Sequence, residues 1–155
     1  MNAKVNNREI LCLHHHLFVY VNVRVRSVHA APTFDVVKIL TKVFTADRPV
    51  RHHFGKTSLI AQLKPLKPGD PFRFVAVYRF GSVVFFNMTT RDAGQLLESM
   101  KKYGTKTIAA GFERREKFQV VIQPQLIEEE EVVTGDYCVV ESLDMNSVSV
   151  IASSE

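Results

Sequence analysis

Hydrophobic and polar residues alternate from Val21 to Arg26, with Val21, Val23 and Val25 on one side and Asn22, Arg24 and Arg26 on the other. A period of two predicts a strand over 22–30 with one face in water. The next segment, PTFDVVKILTKVF, changes period. Pro32 and Thr33 mark a helix start, and Asp35 falls in the first turn, where the helix dipole favours an acid. Val36, Leu40, Val43 and Phe44 then share one helical face. TADRPVRHHFGK is a polar loop ending at Gly55 with its following lysine, TSLIAQL is a short strand, and KPLKPGDP is a turn with Pro-Gly-Asp at its tip.

VAVYRFGSVVFFNMTTRD, residues 75–92, is almost wholly apolar until two threonines. Phe72–Phe80 and Ser82–Asn87 read as two strands of a hairpin, buried on both faces or on one face beneath a mobile cover. Gly81 between them is the residue best suited to a positive φ, at a tight turn or a bulge. TTRDAGQLLESMKKYG is the clearest helix. Thr89 or Thr90 caps it, Asp92 sits in its first turn, and Ala93, Leu96, Leu97 and Met100 form its apolar stripe. Lys101 and Lys102 lie at its C-terminal end, and Gly104 is placed to give a left-handed stop. KFQVVIQ (117–123), DYCVVES (136–142) and SVSVIA (147–152) read as strands, with DMN (144–146) turning between the last two. The order β-α-β-β-β-α-β-β-β predicts an α+β fold, a two-layer sandwich of two helices on one face of a mainly antiparallel sheet.

A length of 155 residues suits one such domain, and eleven Phe supply its core. Cys12 and Cys138 form no CxxC pair, which points to a reducing compartment. No apolar run approaches the roughly 18 residues of a membrane span. Charge is uneven: residues 1–56 hold nine Lys/Arg against three Asp/Glu, and residues 57–155 hold eleven against thirteen. The basic start suits an organellar presequence or a phosphate-facing surface. The strand-like LFVYVNVRVR is unlike the amphipathic helix of a presequence. Residues 1–26 are therefore read as an N-terminal extension with presequence character, and 27–155 as the domain.

Candidate chemistry is sparse. His14, His15 and His16 alternate faces if they lie on a strand, and neither they nor His52 and His53 stand beside a cysteine or carboxylate at ligand spacing. Glu128–Glu131 reads as a solvated loop, because adjacent carboxylates repel. Gly81-Ser82 lacks the GxSxG elbow, and Cys138 falls inside a strand. FGKTS lacks the glycine at position 50 that a phosphate loop needs. The reading is of no enzyme, no cofactor and no metal. Arg24, Arg26, Arg48, Arg51 and Lys56 are the candidate basic face for RNA, although no RNP-type or KH-type motif accompanies them.

Three segments resemble the "required for meiotic nuclear division" family, and most of all its plant branch, the "retarded root growth" proteins. They are SVHAAPTFDVVKIL, FRFVAVYRFGSVVFFNMTTRDAGQLLESMKKYG, and PQLIEEEEVVTGDYCVVESLDMNSVSVIASSE. Gly81, Phe86, Asn87, Asp136, Leu143, Asp144 and Asn146 match the family pattern and are read as structural. The resemblance covers residues 27 to the end, corresponding to the N-terminal half of the family domain. It implies a non-enzymatic organellar protein, in the mitochondrion ahead of plastid or cytoplasm. Such a protein supports organelle translation or cell division through protein–protein contacts; the alternative is an RNA-contacting module on an organellar ribosome or transcript. In the family the last strand continues into further helices, so the resemblance also implies a C-terminally truncated chain. Its final strand is then expected to be bare and to self-associate through a face drawn from Val139, Val148, Val150 and Ile151.

Overall fold

The computed structural model of the protein describes residues 8–13, 16–122 and 137–154. The strands are β1 (Arg8–Leu13), β2 (His16–His29), β3 (Thr33–Phe34), β4 (Arg51–Phe54), β5 (Ser58–Leu63), β6 (Arg73–Tyr78), β7 (Ser82–Phe86), β8 (Gly104–Thr105), β9 (Arg114–Ile122) and β10 (Tyr137–Val140). The helices are α1 (Val36–Lys38), which continues as a π turn over Ile39–Val43, α2 (Thr90–Lys101) and α3 (Met145–Ser153). The main sheet runs β10-β9-β2-β7-β6-β5-β4, with β1 also paired to β2 and a small β3–β8 ladder beside it. Its pairs are antiparallel apart from β9 with β10. This is the expected mainly antiparallel α+β sandwich, except that a third helix, α3, packs on the face of the sheet opposite the π turn and α2, where two helices on one face were expected.

The apolar stretches at 74–78 and 83–86 are buried on both faces because they supply central strands, while Arg79 and Phe80, the latter expected in the strand, stand exposed in the turn between them. Val75, Val77, Val83 and Phe85 join Leu59, Ala61 and Leu63 in a core under the π turn and α2. Phe74, Ala76, Val84 and Phe86 alternate with them and pack, on the opposite face, with Val23, Val25, Val120 and α3. Val23 and Val25 belong to β2, so the strand crosses the boundary drawn at residue 26.

Residues 147–152, expected as the last strand, form α3 instead. Asp144 is the reason. Its side chain accepts from the backbone N–H groups of Asn146 and Ser147, while Ser147 Oγ accepts from Asp144 N–H, all at 2.9 Å. This capping box starts a helix where the Ser-Val alternation favours a strand. Val148, Ile151 and Ala152 then recur at helical spacing and are buried, whereas Val150 is exposed and Val139 in β10 is half-buried. The expected self-association surface is therefore not there: 147–152 is no strand, and two of its four apolar residues are covered. Asp144→Ala should cost about 1–2 kcal/mol in urea unfolding, and Asp144→Asn should retain most of that stability.

The other element shifts have local causes. Thr33 and Phe34 pair with Thr105 and Gly104, so the helix begins one turn later, at the Asp35 cap, whose carboxylate accepts from Lys38 N–H at 3.1 Å. The π turn sets Ile39 and Phe44, five residues apart, toward the core, and leaves Leu40 and Val43 only partly covered. The loop expected over 45–56 contains the exposed edge strand β4. Thr89 is the α2 cap, accepting from Asp92 N–H at 3.1 Å. Gly104 is no left-handed stop; a Cβ there would stand 2.9 Å from the Phe34 ring. Gly81 does have positive φ, +94°, and closes the hairpin with an N–H bond to the Tyr78 carbonyl at 3.0 Å. His14, His15, Glu128–Glu131 and Asp136 lie outside the described residues.

Candidate functional site

β2, β7 and β9 come side by side at His29, where Ser82 is its partner on one strand and Arg114 on the other. Alternation puts Ser27, His29, Ser82, Arg114 and Glu116 on the same face as Val25, Val84 and Val120. They line an open cleft of about 330 Å³. Its side chains engage one another: His29 Nδ1 lies 3.1 Å from Ser82 Oγ, and Arg114 Nη2 donates to Glu116 Oε1 at 3.1 Å. The serine touches the imidazole through Nδ1, and the carboxylate is held by arginine. That arrangement suits polar contact better than activation of a serine nucleophile.

The opposite face of the same two strands is basic. Arg26 lies directly across from Lys117, Val28 from Arg115, and Arg24 from Gln119. Arg24, Arg26, Arg115 and Lys117 thus form one strip, and all but the half-buried Arg26 are exposed. Partial burial, followed by the charges of Arg24 and Arg115, holds the Arg26 guanidinium below its ordinary pKa. Arg26 Nη1 also donates to the Met88 carbonyl at 3.4 Å.

One end of the strip is fixed by a buried carboxylate. The Glu113 side chain has no exposure, and its oxygens accept from Lys101 Nζ at 2.5 Å, Gly111 N–H at 2.8 Å and Arg115 Nη2 at 3.2 Å. Burial alone would raise its pKa. The hydrogen bonds from Lys101, the backbone and Arg115 outweigh burial and lower it to about 2. Lys101, at 9% side-chain exposure, also bonds Glu98 at 3.1 Å. Burial pulls the Lys101 ammonium down, but its bonds to Glu113 and Glu98 win and raise it. Between Gly111 (φ +91°) and Glu113 stands Phe112, 82% exposed.

The five arginines and lysines singled out in the sequence fall into two groups. Arg24 and Arg26 share the strip. Arg51 is on β4, with Arg48 and Lys56 in the segments flanking that strand. β4 is four strand spacings from β2, about 19 Å. Sequence reasoning missed Arg115, Lys117, Glu113 and Phe112. Period-two alternation in RREKFQVVI was the available signal for the first two. His52 and His53 sit exposed on β4, and the His52 and Phe54 rings stand nearly perpendicular with their centroids 5.7 Å apart. Among the described residues no three His, Cys, Asp or Glu side chains group to hold a metal. No helix among them is long and apolar enough to cross a membrane.

Fold and surface together define an α+β domain whose β2–β9 ribbon exposes ordered charged side chains on both faces. Over 83 residues the chain is 30% identical to Protein RETARDED ROOT GROWTH, mitochondrial, of Arabidopsis thaliana, a distant relationship. The match takes in 52% of this chain but only 21% of that protein. No family model matches the chain. No solved structure matches it either.

Proposed function

We propose that the chain is a non-enzymatic module of a mitochondrial protein that acts by holding a macromolecular partner, in support of organelle translation or cell division. The observation that carries this reading is the β2–β9 ribbon. It presents an open polar cleft on one face and a basic strip on the other, and the groups in the cleft bond one another rather than converge on an empty centre. Such surfaces suit recognition by contact. The mitochondrial relative supports the compartment.

The test uses the protein as cells make it. An antibody against the chain should find it in purified mitochondria and, after gentle lysis, in fast-sedimenting gradient fractions. Detection outside mitochondria, or sedimentation as the free chain, would overturn the reading.

A further inference from the structure

We propose that the basic strip holds a single-stranded nucleic acid, with phosphates on Arg24, Arg26, Arg115 and Lys117 and a base stacked on Phe112. The inference rests on the reading of the chain as a binding module and names its partner.

Three observations carry it. First, Arg26 and Lys117 are directly opposed across the β2–β9 ladder, with Arg24 and Arg115 close by. Like charges in opposed positions destabilise a sheet, and an anion laid along them would offset that cost. Glu113 pairs with Arg115 but is shared with Lys101, so the row keeps a net positive charge. Second, cations two residues apart on one strand are about 6.6 Å apart, a repeat close to that of an extended sugar–phosphate chain. The strip lies along two strands, so it suits a polymer better than a small anion. Third, Phe112 stands three residues before Arg115 in sequence and is 82% exposed. The turn that carries it is tied by Phe112 N–H to the Ala109 carbonyl at 3.0 Å and by Gly111 N–H to buried Glu113. An exposed aromatic ring on a tied turn that leads straight into the basic strand suits stacking with a base of any sequence.

Anisotropy titrations of the full chain with labelled oligouridylate and oligodeoxyuridylate 15-mers, from 50 to 300 mM salt, test this. Four phosphate contacts predict a log–log salt slope of about −3 for a single strand. Arg24→Gln/Arg26→Gln/Lys117→Gln spares the Glu113 contact, and a thermal melt checks that it folds. It should weaken binding more than tenfold and flatten the slope to about −1. Arg48→Gln/Arg51→Gln/Lys56→Gln, at the far edge, should bind as the parent does. Phe112→Ala should weaken binding to the oligomers but not to an abasic oligomer of the same length. Comparison of the two 15-mers shows whether the ribose hydroxyl matters; either preference supports the proposal. Three results would overturn it: no binding at 50 mM salt, equal loss in the two triple variants, or tighter binding to polyglutamate or anionic vesicles than to the oligomers. If the oligomers fail to bind while the native protein still sediments in a large mitochondrial assembly, the nucleic-acid partner is wrong and the module reading stands.

Discussion

Gly81→Ala should abolish the cooperative unfolding transition, an effect of about 4 kcal/mol or more. Two independent costs combine. The backbone at 81 has φ +94°, where an L side chain is strained by about 1–3 kcal/mol. A Cβ there would also stand 1.4 Å from the Ala31 carbonyl oxygen, which is impossible without moving the backbone. That backbone is not free to move, because Ala30 N–H donates to the Gly81 carbonyl at 2.9 Å and Ala30 and Ala31 are fully buried. The glycine is thus needed for the close approach of the segment after β2 to the β6–β7 turn, beyond its role in the hairpin. Far-ultraviolet circular dichroism in urea gives the answer. A midpoint like that of the parent would show that the two segments are not packed this way.

Glu113→Ala should be the second large loss, about 3–5 kcal/mol, because it strands the Lys101 ammonium at 9% exposure with only Glu98 as partner. Native Glu113 also makes stability depend on pH. Its folded pKa, about 2, is below the ordinary carboxylate value of 4.5, so its contribution is present above that ordinary value and is lost as pH falls toward 2. The loss should total about 3 kcal/mol. Lys101 acts in the opposite direction. Its raised pKa means that its contribution is full below its ordinary value of 10.5 and fades as pH rises through the folded value. Urea midpoints of parent and Glu113→Gln between pH 2 and 6 separate the effect: the parent's advantage should shrink on acidification. A constant difference would mean that Glu113 is not ionised in its buried site.

Much of this fold is written locally. The largely apolar β6 and β7, Gly81 at positive φ, and α2 with its threonine cap and apolar stripe follow from residues next to one another. α3 is hidden in the local pattern because SVSVIA has both the alternation of a strand and, at Val148, Ile151 and Ala152, the spacing of a helix face. The Asp144–Ser147 box resolves that ambiguity, and the local pattern hides it by dividing its two residues between a turn at 144–146 and a strand from 147. The working surface was half legible. Arg24 and Arg26 stand out by alternation alone, but their neighbours come from β9, more than eighty residues on, and only pairing register brings them together. Arg48, Arg51 and Lys56 are nearer in sequence and farther in space. Glu113 gave no signal, since its ion pair spans twelve residues and a turn. The same register bears on the choice between protein and RNA as partner: it concentrates positive charge on one ribbon, which favours a polyanion.

The claim that the β2–β9 strip is the working surface is tested most directly by photo-crosslinking. A light-activated residue at exposed Gln119, across the ladder from Arg24, is compared with one at Lys56 beside the far edge strand, each in purified chain added to mitochondrial extract. The account predicts nuclease-sensitive adducts from position 119 and none above background from position 56. Equal adducts from both positions, or none from 119, would contradict it.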